Sequence, residues 1–183
     1  MKTAVLVIDM QEDLFKKERL KKHRKKLVKN INDLIHACRS KNLPIIWVRT
    51  QYEDDLSDAP VTFQKKNIRI CIKNTPGGDI LRELDKKSSE KEIIKKNYSA
   101  FFGTKLHDFL KQSKVDTILM TGINTHACVR TSAIDAFQLG YEVILVEDCV
   151  DSYDKEHHDI SLKYMENRIA TLMKNREIES KIL

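Results

Sequence analysis

The sequence lacks the features that mark several protein classes, and each gap removes a possibility. No apolar stretch approaches the roughly 20 residues of a membrane-spanning helix, so no membrane association is expected. The opening run Met1-Lys2-Thr3-Ala4-Val5-Leu6-Val7-Ile8-Asp9 is too short for a signal peptide and ends in a carboxylate without a small-residue cleavage site. A cytoplasmic location is the expectation. Only four cysteines occur (Cys38, Cys71, Cys128 and Cys149), and no two form a C-x-x-C pair, which argues against a zinc or redox dithiol site. In a reducing compartment all four are free thiols. No repeat, low-complexity tract or linker interrupts the 183 residues. That length suits a single domain, 1–183, with a full core.

Charge is uneven, with a formal net value of +6 that comes mainly from lysine. The densest cluster, Lys16-Lys17-Glu18-Arg19-Leu20-Lys21-Lys22-His23-Arg24-Lys25-Lys26, has the sign of a nucleic-acid patch. It lacks the interleaved aromatic residues of a base-stacking surface. The cluster therefore reads as the solvated face of a helix, with no nucleic-acid partner.

What is present is an alternation of strands and helices. Ala4–Ile8 is an apolar strand, and the helix after it carries Leu27, Ile31, Leu34, Ile35 and Cys38 on an inner face. Ile45–Val48 is a second buried strand. An irregular stretch from Gln51 to about Gly78 follows, and a connection of that length is usually functional. Ile93-Ile94 begins a third strand, and Thr104 caps a helix bearing Leu106, Phe109 and Leu110. Thr117–Met120 and Val143–Val146 are further strands. Gly140 stops the helix between them. A helix after Asp154 carries Ile160, Leu162, Tyr164 and Met165, Ile169–Met173 is the final strand, and Asn175 caps a terminal helix. The expected fold is α/β, a three-layer, Rossmann-like arrangement of six parallel strands with helices on both faces.

Right-handed crossovers put all the carboxyl ends of such strands on one edge, where open α/β sheets hold ligands. Asp9, Arg49, Lys95 and the Gly122–Cys128 turn would converge there. Cys128 stands where a strand and a Thr/Gly turn give way to a helix with Val129, Ala133, Ala136 and Phe137 spaced for one buried face. The positive end of a helix favours thiolate. The pattern alone leaves a reactive nucleophile and an inert core thiol both open. Asp9, partly desolvated after an apolar strand, suits a proton acceptor but could equally cap the following turn. One of Lys95 and Lys96 must point toward the sheet edge and the other toward solvent. An acid, a cation and a thiol, each just after a separate strand, meet the requirements of covalent acyl transfer.

Three motifs, in order, resemble those of the isochorismatase-like cysteine hydrolases, a superfamily that includes nicotinamidases and N-carbamoylsarcosine amidases. They are Asp9-Met10-Gln11-Glu12-Asp13-Leu14, Lys95-Lys96-Asn97-Tyr98-Ser99-Ala100-Phe101 and Gly122-Ile123-Asn124-Thr125-His126-Ala127-Cys128-Val129. The run Ala136-Phe137-Gln138-Leu139-Gly140-Tyr141-Glu142-Val143 fits as well. The resemblance implies that Cys128 attacks a carbonyl carbon, that Asp9 carries the proton, and that Lys95 rather than Lys96 is the catalytic lysine. It also implies a cis peptide at Ile123-Asn124 that aims the Asn124 and Cys128 N–H groups at an oxyanion.

The cysteine favours cleavage of a C–N bond in a small amide or ureide substrate over vinyl-ether cleavage of isochorismate. A non-catalytic binding protein or thiol sensor is the remaining alternative. The Asp-x-His metal motif of nicotinamidases is replaced by Arg49-Thr50-Gln51-Tyr52-Glu53, so neither a metal nor another cofactor is expected. Leu14 stands where the family has phenylalanine, and Phe15 could supply the ring. Phe15, Gln51, Tyr98, Thr125 and His126 are the substrate-binding candidates, with Phe101 assigned to the core. For His126 a backbone-bonded turn residue is an equal alternative. Arg49 could bind a substrate carboxylate or pair with Asp54, Asp55 or Asp58. His157-His158 face different directions and make no metal pair. By analogy a homodimer or homotetramer is expected.

Overall fold

The computed structural model describes residues 2–182. Six strands form one all-parallel sheet in the order β3-β2-β1-β4-β5-β6. They are β1 (Thr3–Ile8), β2 (Ile45–Thr50), β3 (Lys91–Lys95), β4 (Thr117–Ile123), β5 (Glu142–Asp151) and β6 (Thr171–Met173). The helices are α1 (Glu18–Ser40), α2 (Val61–Lys66), α3 (Leu106–Gln112), α4 (Arg130–Gln138), α5 (Lys155–Met165) and α6 (Asn175–Lys181).

Strand alternation divides the core in two. Ala4, Leu6 and Ile8 of β1 pack with Leu106, Leu110, Ala133, Ala136 and Met165, so α3, α4 and α5 cover one face. Val5 and Val7 pack with Leu27, Ile31, Leu34, Ile35, Cys38 and Ile178, so α1 and α6 cover the other. The strand order reverses between β1 and β4, the point at which open α/β sheets hold ligands beyond their carboxyl ends. The expected three-layer α/β fold is the one observed.

Several details differ from the sequence expectation. Strand β4 runs on to Ile123, because the assumed Thr/Gly turn stays in the sheet: Thr121 Oγ1 donates to the Leu6 carbonyl at 2.9 Å. Strand β5 continues past Val146 to Asp151 through a register shift opposite Met120–Gly122. The connection from Gln51 to Gly78 is partly ordered as α2, and Tyr52, Leu56, Ala59 and Ile72 make a small core of its own. Phe137, Ile160 and Tyr164 keep helical spacing yet are exposed. The terminal helix begins at Asn175 itself, with Lys174 as its cap. In the basic cluster, Lys21, Lys22, Lys25 and Lys26 face solvent, whereas Arg19 pairs with Asp151 and Arg24 with Glu12 and Glu83.

Candidate active site

Four strand ends build the site. Asp9 follows β1, Thr50 ends β2, Lys95 ends β3, and the Cys128 turn follows β4. Asp9 adopts φ 54°, an uncommon conformation for a residue with a side chain. Its N–H donates to the Val48 carbonyl at 2.8 Å, which holds it against β2. Gly122 lets β1 and β4 close together at this level. Its φ is +108°, and a Cβ there would lie 2.0 Å from the Ile8 carbonyl oxygen. The peptide Ile123–Asn124 is cis.

Cys128 lies in a π-helical turn, Thr125–Val129, that leads into α4. Such turns recur at functional sites. The Ala127 and Val129 N–H groups donate to the Asn124 carbonyl at 3.0 and 3.2 Å. Ser132 Oγ donates to the Cys128 carbonyl at 2.6 Å and accepts from the Ala100 N–H at 2.8 Å. Ser99 Oγ donates to Asp135. The Tyr98–Phe102 segment is thereby tied to the helix that carries the thiol.

The three candidate catalytic residues meet. Lys95 Nζ is 2.8 Å from Asp9 Oδ2 and 3.3 Å from Cys128 Sγ, and the Asp9 and Lys95 side chains are almost completely buried. Lys95 donates to Thr50 Oγ1 at 2.8 Å, to the Asn97 carbonyl at 3.0 Å and to the sulfur, which uses its three N–H bonds. Asp9 Oδ1 accepts from the Thr50 N–H at 2.9 Å and from the Thr50 hydroxyl at 3.0 Å. Asp9 Oδ2 is close enough to the ammonium for strong attraction but outside hydrogen-bond alignment. It is a buried acceptor with a free lone pair. A buried ion pair gains little stability over apolar packing, so this one marks a candidate for chemistry.

Burial pushes the Cys128 thiol well above its ordinary value, and the Asp9 carboxylate pushes it the same way. Lys95 offsets them only in part. A resting thiolate, expected from the helix end, is therefore disfavoured. Although Cys128 is half-buried by surface area, protein atoms crowd the sulfur, and the proton stays on it until a base removes it. For Lys95, burial favours the neutral amine, but the Asp9 carboxylate outweighs that and holds it as a cation.

The other sequence candidates are distributed as follows. Thr125 is buried, and its hydroxyl donates to the Asp151 carbonyl at 3.0 Å and meets His158 Nδ1 at 2.9 Å. His126 Nδ1 is bonded to Ser152 Oγ, and its ring stands edge-on to Tyr153. Burial, then neighbouring His157, holds it below the usual histidine value. Tyr98 is exposed, whereas Phe101 is in the core. Gln51 is buried, and its carbonyl accepts from Lys96 Nζ at 2.5 Å. Lys96 also pairs with Asp58.

Phe15 is buried in the α1-side core beneath the Arg24 guanidinium and lines a cleft of about 560 Å³ with Glu12, Pro76 and Arg82. No triad residue lines that cleft, nor a smaller one of about 230 Å³ around Arg19, His23 and Asp151. The chemistry, rather than cavity size, identifies the site. Arg49 neither awaits a carboxylate nor reaches the acidic loop, because it pairs with Glu92 at 2.6 Å on the neighbouring strand. Among the described residues no group of three or more His, Cys, Asp or Glu side chains could hold a metal ion. No helix among them is long and apolar enough to cross a membrane.

Sequence reasoning passed over Thr50 and Gln11. Gln11 Nε2 donates to the Thr50 and Gly78 carbonyls, both at 2.8 Å, and its Oε1 accepts the Thr50 N–H at 2.8 Å. The available signal was position: Thr50 is the last residue of β2, beside Asp9 and Lys95 in the sheet.

Comparison with known proteins gives a consistent picture. The family model described as the Isochorismatase domain matches residues 3–177. A protein of Arabidopsis thaliana named a probable inactive nicotinamidase is 29% identical over 173 residues, covering 90% of this chain and 88% of the relative. The crystal structure of an isochorismatase family protein from Desulfovibrio vulgaris superposes with a TM-score of 0.90 at 26% identity, over 98% of this chain and 97% of that one. That of N-carbamoylsarcosine amidase from Thermoplasma acidophilum gives 0.81 at 29% identity, over 98% and 99%.

Proposed function

The chain belongs to the isochorismatase family, and on that premise we propose that it is a cysteine hydrolase that cleaves the C–N bond of a small amide or ureide. The observation that carries this reading is the contact of one buried ammonium with both the Asp9 carboxylate and the Cys128 sulfur. The likeness to an N-carbamoylsarcosine amidase supports C–N chemistry in particular.

Asp9 Oδ2, with its lone pair free, takes the proton from Cys128 as the sulfur attacks the substrate carbonyl carbon. The Asn124 and Cys128 N–H groups receive the developing oxyanion, and losing one such donor costs about 3–4 kcal/mol. Collapse breaks the C–N bond, Asp9 returns the proton to the departing nitrogen, and a thioester remains on Cys128. Water, deprotonated by Asp9, then releases the acid and restores the thiol. The balance is one amide plus one water giving one carboxylic acid and one ammonia. Lys95 remains protonated throughout and stabilises both the carboxylate and the sulfur anion. In this reading the substrate enters at the carboxyl ends of β1 and β4, and Tyr98 and His126 are candidates to contact it. The protein works as a homodimer or homotetramer inside the cell.

The test is ammonia release from nicotinamide, N-carbamoyl amino acids, ureides and maleamate, with wild type and Cys128→Ala in parallel. The reading expects release from at least one compound by wild type and none above background by the variant. Equal release by both proteins, or pyruvate formation from isochorismate without ammonia from any amide, overturns it.

A further inference from the structure

We propose that Thr50 is a positioning residue of this site, which acts through Asp9 and Lys95 rather than on the substrate. The inference rests on the cysteine-hydrolase reading above and adds a fourth functional side chain to it. Its basis is one hydroxyl that serves two charged groups. Thr50 Oγ1 accepts from Lys95 Nζ at 2.8 Å and donates to Asp9 Oδ1 at 3.0 Å. A hydroxyl has one hydrogen, so these two bonds fix its direction. The Thr50 N–H adds a second donor to the same carboxylate oxygen at 2.9 Å.

Three consequences follow. With two donors on Oδ1, the free lone pairs of Asp9 lie on Oδ2, the oxygen beside the ammonium that is left without a hydrogen-bond partner. Donors to a carboxylate also favour its charged form, so Thr50 keeps the resting Asp9 ionised, with the proton left on the sulfur until the attack. By occupying one Lys95 N–H, with the Asn97 carbonyl occupying another, it leaves a single N–H for the sulfur. The hydroxyl is itself held in place. Thr50 is buried, and Gln11 clasps its backbone from both sides, accepting the N–H and donating to the carbonyl, each at 2.8 Å. A strand residue needing only a β-branched filler would not require that clasp.

Thr50→Val keeps the shape and removes the hydroxyl, whereas Thr50→Ser keeps the hydroxyl and removes a methyl. Cys128 alkylation by iodoacetamide, followed from pH 5 to 10 by peptide mass, reads the site without any substrate. In Thr50→Val the carboxylate has lost a donor and takes the thiol proton more readily. The alkylation profile is then expected to move to lower pH, with a rate at pH 7 about 10- to 100-fold above wild type. Thr50→Ser should overlay wild type.

On whichever of nicotinamide, N-carbamoylsarcosine or maleamate wild type hydrolyses, Thr50→Val should lose about tenfold or more in kcat with KM little changed, and Thr50→Ser should recover most of it. Thermal midpoints separate a folding defect from this effect, and Thr50→Ala replaces Thr50→Val if the latter does not fold. An unmoved alkylation profile in the hydroxyl-less variant, or Ser behaving like Val, overturns the proposal even if wild type is an active amidase. Absence of ammonia release by wild type overturns the hydrolase reading instead, and the alkylation profile still decides whether Thr50 sets the state of the Asp9–Lys95–Cys128 cluster.

Discussion

Asp9→Asn should separate two properties of Cys128 that normally move together, its reactivity and its usefulness. In the native site burial and the Asp9 carboxylate keep the proton on sulfur against the pull of Lys95. The substitution is nearly isosteric, and the amide oxygen can keep both donors from Thr50. Only the negative charge and the basic oxygen are lost. What remains beside the sulfur is an ammonium at 3.3 Å, worth about 5 kcal/mol at an effective dielectric of about 20. The same attraction acts in the native site, where the Asp9 carboxylate opposes it, so the substitution releases only the part that the carboxylate cancels. Solvent reaching the half-exposed turn screens part of it, so the rate of iodoacetamide alkylation at pH 7 should rise by at least about tenfold. Hydrolysis should fall by about 10²- to 10⁴-fold, because no group can shuttle the proton. Labelling and turnover are to be measured on the same preparation. If both fall together, or neither changes, Asp9 is not the charge that holds the proton on sulfur and the electrostatic account is wrong.

Other expectations follow from the same geometry. Gly122→Ala combines a positive φ with a Cβ 2.0 Å from the Ile8 carbonyl and should cost about 3 kcal/mol or more in chemical denaturation; a loss within about 0.5 kcal/mol would show that the strands separate easily. Burial pushes the Cys38 thiol up to about 12 and also raises Cys71 and Cys149. Cys128 is raised as well, but it alone of the four is half-buried rather than buried, so alkylation of native protein at pH 8 should fall, slowly, on Cys128, with all four thiols labelled after denaturation. Burial would raise Glu90, but Arg39, the Lys87 N–H and the Trp47 indole outweigh it and hold the carboxyl below its usual range. Its contribution is therefore complete above the ordinary carboxylate value and lost as pH falls through the lowered one. Glu90→Gln should lower the thermal midpoint near neutral pH and flatten the acid limb of the midpoint-versus-pH curve.

The fold was largely legible because a fully buried parallel sheet writes itself as short apolar runs separated by amphipathic helices, as in Ala4–Ile8 and Leu27–Cys38. The candidate triad was legible chiefly through the family resemblance: placement after strands pointed to Asp9 and Cys128 but left Lys95 and Lys96, and a reactive or inert thiol, both open. Thr50 was not, because threonine is an ordinary strand residue and only its two hydrogen-bond partners set it apart. The exposed faces of α4 and α5 escaped notice for the opposite reason. Phe137, Ile160 and Tyr164 satisfy helical periodicity yet are exposed, Tyr164 with the Arg130 guanidinium over its ring. The ionisation of Cys128 was misjudged because sequence reveals a helix terminus but not the burial and the carboxylate that outweigh it.

The most direct test of the central claim is intact-mass analysis of protein quenched in acid during turnover of an amide that releases ammonia. Covalent catalysis by Cys128 predicts a species heavier by the substrate's acyl group, mapped to the Cys128 peptide and absent from Cys128→Ala. Steady turnover with no adduct on wild type, and undiminished ammonia release from the alanine variant, would contradict it.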